Sequence, residues 1–239
     1  IKIDFTILPP WYRTVWAYTI YVLLLIALIY LIIKLNLKRL REQNIKLENI
    51  ITERTKEINY QKLLIEHKNR EITDSINYAK GIQDSILPSI NEIKKVWKDL
   101  FIFFKPKDIV SGDFYWFKQI NSEEFLIACA DCTGHGVPGG FMSMICSDKL
   151  NDATRESTNP DKILYLANNS IKETLRQQSE RKRKDGMEIC LIKVNVKTKE
   201  VIYAGANRHL WIIESGSNEV KELKPNKASI ASFTEFNYS

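Results

Sequence analysis

The sequence predicts an α+β domain that follows one transmembrane helix and one long coiled-coil helix. Three observations support this prediction: an uncharged apolar stretch at residues 15–33, a charged heptad repeat after it, and short strand and helix patterns that alternate from about residue 92 to residue 239. The 239 residues, with a net charge of +6, are enough for one or two domains.

Residues 1–13 predict the end of a larger module. Apolar side chains occupy every second position from residue 1 to residue 7, which is typical of a β-strand, and two prolines at positions 9 and 10 end the pattern. A lone strand is not stable in water, and the first residue is Ile rather than Met. We therefore expect the chain to start within a longer protein.

Residues 14–34 predict a transmembrane helix. No charged residue occurs at positions 15–33, and a run of about 20 apolar residues matches the thickness of a bilayer. A cleaved signal peptide is the alternative, but its apolar region is shorter and ends in small residues. Aromatic residues flank the start of the span and basic residues crowd its end, so we expect the C-terminal part of the chain in the cytoplasm. These residues are Trp11, Tyr12, Trp16 and Tyr18, and Lys34, Lys38, Arg39 and Arg41.

Residues 35–90 predict a long helix that forms a homodimeric coiled coil. One seam of the heptad repeat is apolar and the other is largely polar, which is typical of a marginal two-stranded coil that could switch between registers. The alternative is a surface helix packed on its own domain. We expect this helix to bend or stop at Gly81 and at Leu87-Pro88. The apolar seam comprises Ile51, Ile58, Ile65, Ile72, Ala79 and Ile86.

Residues 91–239 predict a mixed globular domain. Strand patterns occur at 100–104, 114–120, 124–130, 187–196, 200–205, 209–214 and 219–223, and helical patterns occur at 138–153 and 160–180. Turn residues at 197–199 and 216–218 join neighbouring strands into hairpins. Sequential hairpins produce antiparallel sheets, which favours an α+β fold over a doubly wound one.

Two acidic motifs indicate a metal site. Residues 111–115 (SGDFY) contain Asp113, and residues 130–136 (ADCTGHG) contain Asp131. Glycines beside an aspartate allow close approach to a hard cation, and two aspartates on pairing strands would favour magnesium or manganese. The backbone carbonyl of Cys132 is a candidate further ligand. This chemistry is metal-assisted hydrolysis, most plausibly of a phosphate ester.

Other residues near these motifs allow more than one reading. His135 is a candidate general acid or phosphate contact, or a structural loop histidine. The glycines that follow would place a helix N-terminus near an anion. The four cysteines do not predict a disulfide framework, and the pair Cys129 and Cys132 lacks a second pair for a zinc site, so we expect ordinary buried thiols.

Four ordered segments resemble the SpoIIE-type serine phosphatase domain, which belongs to the metal-dependent PPM class. They are residues 104–116 (FKPKDIVSGDFYW), 130–139 (ADCTGHGVPG), 184–188 (KDGME) and 203–207 (YAGAN). Residues 72–80 (ITDSINYAK) and 82–88 (IQDSILP) resemble the helix that often precedes this domain. Residues 1–13 resemble the end of the periplasmic sensor module of such receptors. The resemblance covers about residues 72–230.

The resemblance implies a PPM-type β-sandwich flanked by helices, with two manganese or magnesium ions at one edge. It implies hydrolysis of phosphoserine or phosphothreonine on a protein partner, often an anti-sigma-factor antagonist, by a protein of the bacterial inner (cytoplasmic) membrane. Asp113 and Asp131 match the metal aspartates, and Cys132 matches the carbonyl donor. Glu188 stands where an aspartate is expected, and we assign it no catalytic role.

The chain departs from the family pattern at its C-terminal end. The family continues past residues 227–230 into further strands and an acidic-glycine motif, whereas no Ser-Asp-Gly or Asp-Asp pair follows Ile230 here. We therefore expect a chain truncated at both ends that lacks further metal carboxylates, with lower metal affinity. A catalytically silent binding or scaffold module of the same fold is the alternative function.

Two other classes of protein are disfavoured. A sensor histidine kinase would need an acceptor histidine in the helical region, and the residues after His67 (KNRE) do not resemble that acceptor box. The basic run at residues 181–184 (RKRK) is short and typical of a solvated loop, so we expect no nucleic-acid partner.

Overall fold

A computed structural model of the protein describes residues 10–175 and 185–231. The chain divides into two compact units, residues 1–69 and residues 70–239. The strand predicted at residues 1–7, the end of the helix predicted at 160–180 and the basic run at 181–184 fall outside the described residues.

The described part of the first unit is helical. A short 3-10 helix, Trp11–Arg13, precedes helix α1, Val15–Ile86. From residue 15 to residue 33 every side chain except that of Ala17 is exposed. By length and composition this part of α1 is able to cross a membrane. A helix suits that environment because it satisfies its backbone hydrogen bonds internally.

The charged part of α1 is also exposed. Ile51, Ile58 and Ile65, which belong to the predicted apolar seam, are between 55% and 61% accessible. Ion pairs one turn apart, such as Arg54 with Glu57 at 2.8 Å, stabilise the helix by a few tenths of a kcal/mol each. The coiled-coil dimer stays a prediction. As the sequence predicts, α1 ends directly before Leu87-Pro88, but it continues through Gly81.

The second unit is an α+β domain, as predicted. Its helices are α2 (Ile90–Val96), α3 (Gly136–Glu156) and α4 (Pro160–Thr174). Its strands are β1 (Asp113–Gln119), β2 (Glu124–Cys132), β3 (Met187–Asn195), β4 (Glu200–Ala206), β5 (Leu210–Ile213) and β6 (Val220–Leu223). Strands β1 to β4 form one antiparallel sheet in sequence order, and β5 pairs with β6. Both predicted hairpins are confirmed.

The core lies on one face of the four-stranded sheet. Side chains of alternating positions point towards α3 and α4, as a half-buried strand requires. Trp116 on β1 is buried and donates from its Nε1 to Asn151 Oδ1 on α3 at 3.1 Å, which fixes the helix against the sheet. The core side chains include Phe114, Leu126, Leu150, Ile163, Leu164, Ile171, Ile189 and Leu191.

The opposite face of this sheet lines a cavity of about 650 Å³. The strand predicted at residues 100–104 is wrong: these residues lie beside the cavity without a strand partner among the described residues. Phe101 and Phe103 are 89% and 85% exposed, so no part of the described chain covers them. The buried-thiol prediction holds for Cys132 and Cys146 but is wrong for Cys129, which alternation in β2 places on the cavity face.

Candidate metal centre

The sheet places three acidic residues in one row. Asp113 on β1 is directly opposite Asp131 on β2, and Asp131 is directly opposite Glu188 on β3. Directly opposite residues of an antiparallel pair have their Cβ atoms about 4.5–5.5 Å apart on the same face. The structure therefore brings the two predicted metal aspartates together and adds Glu188, to which the sequence assigned no role.

The carboxyl groups of Asp113 and Asp131 are in electrostatic contact. Burial raises the pKa of Asp113, and the negative charge of Asp131 and a hydrogen bond with its side chain raise that pKa further. Arg208 opposes this effect. Two carboxylates this close repel each other when both are ionised, and a cation between them relieves the repulsion. The pair therefore has the oxygen chemistry and the charge that a hard divalent cation requires.

Arg208 provides a positive charge at the acidic row. Its Nη2 donates to Oδ2 of Asp131 and lies 3.0 Å from Oε2 of Glu188. All three side chains are between one third and one half exposed. The sequence analysis did not identify Arg208. This residue comes directly after Asn207, the last residue of the fourth motif, and it lies near Asp131 only because of the strand register.

The four sequence motifs meet at this edge of the sheet. Thr133, in the second motif, donates from its backbone N–H to the carbonyl of Gly186, in the third motif, at 2.9 Å. Asn207, in the fourth motif, donates from Nδ2 to Oε1 of Glu188 at 3.3 Å. Separate segments of the chain therefore contribute to one site.

Cys132 contributes no thiolate to this site. Its side chain is buried on the core face, where a hydrogen bond with Cys146 and burial both raise the pKa of the Cys132 thiol, so it stays neutral. Its backbone N–H donates to the carbonyl of Gly112 at 3.3 Å. Only its backbone carbonyl is available as a metal ligand, and that role stays a prediction.

Glycines allow the loops around the site to pack backbone against backbone. A Cβ atom on Gly112 would lie 2.5 Å from the carbonyl oxygen of Gly134 and 3.0 Å from that of Cys132. A Cβ atom on Gly139, in the first turn of α3, would also lie 2.5 Å from the oxygen of Gly134. These contacts hold the end of β2 and the start of α3 against the residue that precedes Asp113.

Replacing Gly112 by Ala is expected to destabilise the domain by about 1–3 kcal/mol, because the added methyl group would collide with two backbone carbonyls that cannot rotate away. The measurement is chemical unfolding followed by intrinsic fluorescence. Gly81→Ala is the matched control, since nothing lies within 4 Å of its added methyl group. That change should stabilise α1 slightly, and equal stabilities for the two variants would contradict the packing argument.

His135 lies at the rim of the loop rather than in the acidic row. Its Nδ1 is 2.8 Å from Oδ2 of Asp108, and its side chain is 75% exposed. This contact joins the loop before β1 to the loop before α3. The alternatives of a general acid, a phosphate contact and a structural histidine remain open.

Gln83 joins the end of α1 to the approach to Asp113. Its Nε2 donates to the carbonyl of Ser111 at 2.6 Å and to Oγ of Ser143 at 2.8 Å, and its Oε1 accepts from the N–H of Ser111 at 3.0 Å. Gln83 is 5% exposed. A side chain of α1 thereby fixes the backbone two residues before Asp113.

The site has few acidic side chains that could ligate a metal ion. Within residues 10–175 and 185–231, no group of three or more His, Cys, Asp or Glu side chains is arranged to hold a metal ion. Asp113 and Asp131 fit a divalent cation as a pair, while Glu188 is joined to them through Arg208.

Comparison with known proteins identifies related domains. Residues 121–239 match the family described as Stage II sporulation protein E (SpoIIE). The structure is similar to the SiaA-PP2C domain of Pseudomonas aeruginosa, with 31% sequence identity and a TM-score of 0.61. That match covers 68% of this chain and 63% of the SiaA domain, so the chain spans less than two thirds of that relative.

Two further solved structures are more distant. The PP2C phosphatase domain with a fragment of the regulatory domain of SpoIIE from Bacillus subtilis has 19% identity and a TM-score of 0.44, covering 54% of this chain and 36% of that one. RsbX in complex with magnesium has 20% identity and a TM-score of 0.41, covering 53% of this chain and 57% of that one. A comparison with the curated proteins gives no match.

Proposed function

The C-terminal domain of this chain belongs to the SpoIIE-type family of PPM-class phosphatases, and from this premise we propose that the protein is a membrane-anchored signalling phosphatase. Its reaction is the hydrolysis of phosphoserine or phosphothreonine on a protein partner. The observation that supports this most directly is the contact between Asp113 and Asp131 at the edge where the four motifs meet.

Asp113, Asp131 and the backbone carbonyl of Cys132 would hold manganese or magnesium. When bound, such ions lower the pKa of a bound water and provide a hydroxide nucleophile near neutral pH. The protein's own contribution is to position two carboxylates on adjacent strands and to keep the loops around them rigid through Gly112 and Gly139. Helix α3 begins at Gly136, and the N-terminus of a helix favours the phosphate anion of a substrate.

The proposal assigns anchoring and signalling to α1. Residues 14–34 would span the bacterial cytoplasmic membrane, residues 35–90 would pair in a homodimer, and residues 91–239 would act in the cytoplasm. The exposed apolar residues of both parts of α1 support partners outside the chain, namely lipid for the first part and a second copy for the other. A phosphorylated anti-sigma-factor antagonist is the expected class of protein substrate.

Phosphate release by the full chain tests this function. The protein, purified in detergent, is incubated with phosphorylated casein and with a phosphorylated anti-sigma-factor antagonist. We expect release that requires Mn²⁺ or Mg²⁺, that stops on addition of a chelator, and that does not occur with a phosphotyrosine peptide. Release that persists in the chelator, or no release with either metal, would contradict the proposal.

A catalytically silent module is the second candidate, and Arg208 is the observation that favours it. Its guanidinium already compensates the charge of Asp131 and Glu188, as in a purely structural ion pair. Calorimetry with Mn²⁺ separates the two candidates, because a silent module should show no binding in the micromolar range.

A further inference from the structure

The positive charge of Arg208 lies beside the Asp131 carboxylate, whose negative charge a bound metal ion would also neutralise. Its Nη2 contacts Oδ2 of Asp131 and lies 3.0 Å from Oε2 of Glu188, so one guanidinium joins two of the three acidic side chains in the row. The third, Asp113, is in contact with Asp131. Arg208, Asp113 and Asp131 also line the same cavity.

The surrounding hydrogen bonds hold Arg208 in this place. The hydroxyl of Tyr203 donates to the backbone carbonyl of Arg208 at 2.6 Å. The preceding Asn207 adopts a left-handed conformation, with φ of 56°, and donates from Nδ2 to Oγ of Ser229 at 2.9 Å. The same Nδ2 contacts Glu188 at 3.3 Å and so orients the second carboxylate of the ion pair. The backbone of the arginine and one of its partners are therefore both fixed.

We propose that Arg208, which also pairs with Glu188, is a built-in cation that competes with the metal ion for Asp131. The inference rests on the proposed function, because it takes Asp113 and Asp131 as the metal ligands. A metal ion bound to Asp131 would lie close to the guanidinium at Oδ2, and two positive charges this close repel each other. This repulsion favours movement of Arg208 away from Asp131 when the metal binds.

The strength of the ion pairs of Arg208 sets how strongly it competes with the metal. Ion pairs between half-exposed side chains are weak, so a divalent cation can displace it. The result is a lowered affinity for metal and not a complete block.

The test is a Mn²⁺ titration of the full chain, followed by calorimetry and by the electron paramagnetic resonance signal of free Mn²⁺. Loss of one competing cation should tighten Mn²⁺ binding by Arg208→Gln about 5- to 20-fold. Arg208→Lys, which keeps the charge but not the planar fork, should lie between Arg208→Gln and the wild type. Tyr203→Phe, which only loosens the arginine backbone, should give a smaller gain.

Arg155→Gln is the matched control. Arg155 is an exposed arginine of α3 that pairs with Asp152, away from the acidic row, so its removal changes the net charge equally. Its Mn²⁺ affinity should change less than about twofold. A thermal melt of each metal-free variant shows that the folds are comparable.

The outcomes separate the inference from the function on which it rests. Binding that is lost in Asp113→Asn and tightened in Arg208→Gln supports both. Binding that is lost in Asp113→Asn but unchanged or weakened in Arg208→Gln overturns the competing role of Arg208 and leaves the metal site standing. No binding by any of these proteins overturns the metal site and the competition together.

Discussion

Replacing Asp113 by Asn is expected to reduce Mn²⁺-dependent phosphate release by more than about 100-fold without unfolding the domain. Asparagine keeps the shape of the side chain but removes the negative charge that a hard cation requires. The loss should appear in metal affinity and in turnover together. Phosphate release at saturating Mn²⁺ and a calorimetric titration of the variant measure the two quantities.

The same substitution should make the metal-free protein slightly more stable at neutral pH. The folded state raises the pKa of Asp113 above its usual value of 3.8, through burial and the charge of Asp131. A raised carboxyl pKa contributes stability below the unfolded pKa, and that contribution is lost as the pH rises through the folded pKa. At pH 7 the ionised Asp113 therefore opposes folding, and Asn removes the charge.

Asp148→Asn is the control for this prediction. Asp148 is an exposed carboxylate of α3 that pairs with its neighbour Lys149, so its loss should change neither metal affinity nor turnover. Wild-type phosphate release by Asp113→Asn would show that Asp113 is not a metal ligand of the kind proposed. A melting temperature well below that of the wild type without metal would contradict the expected gain in stability.

Asp131→Asn should behave differently in one respect. It should lose activity to a similar degree, but it also removes one of the two carboxylate partners of Arg208, so the metal-free protein should not gain stability. Comparing Asp113→Asn with Asp131→Asn therefore distinguishes a carboxylate that is repelled by its neighbour from one that is paired with an arginine. Thermal melts in a chelating buffer, run side by side, provide the comparison.

The local patterns of the sequence predicted most of the elements of the domain. Strands β1 to β6 and helices α3 and α4 start within about two residues of their predicted positions, because alternation and turn residues are local signals. The strand prediction for residues 100–104 was wrong because it relied on such a local signal alone. The alternation of this segment is that of a strand, but a strand also requires a partner, and none of the described residues pairs with it.

The site was predicted in part. Asp113 and Asp131 could be recognised because glycines flank each of them within a short motif. Glu188 was noted only as a departure from the family pattern, and Arg208 was not noted. Both reach the acidic row through the register of β2 with β3 and the turn after β4. Register depends on packing across the sheet, and a single sequence does not reveal it.

Replacing Gln83 by Leu is expected to destabilise the domain by about 2–5 kcal/mol and to weaken Mn²⁺ binding. Leucine fills similar space but makes none of the three hydrogen bonds to Ser111 and Ser143. It leaves the buried N–H and carbonyl of Ser111 without their partners, and each unsatisfied group costs about 1–3 kcal/mol. Chemical unfolding of the full chain measures the first effect.

The effect of Gln83→Leu on Mn²⁺ binding shows whether Gln83 positions the metal site or only supports the fold. Ser111 lies two residues before Asp113, so a shift of its backbone should move the carboxylate away from Asp131 and weaken the metal site. Gln83→Glu keeps the acceptor for the Ser111 N–H but loses the donor to its carbonyl, and it should fall between wild type and Gln83→Leu. Gln43→Leu, at an exposed position of the same helix, should change neither quantity.

A route from α1 to the metal site depends on this result. Gln83 belongs to the helix that begins with the apolar segment, Val15–Ile86, and it contacts Ser111, two residues before Asp113 of the acidic row. A rotation of this helix would therefore act first on Ser111. If Gln83→Leu lowers stability but leaves the Mn²⁺ dissociation constant and turnover unchanged in the folded fraction, the hydrogen bonds only support the fold. A movement of α1 would then need another path to Asp113.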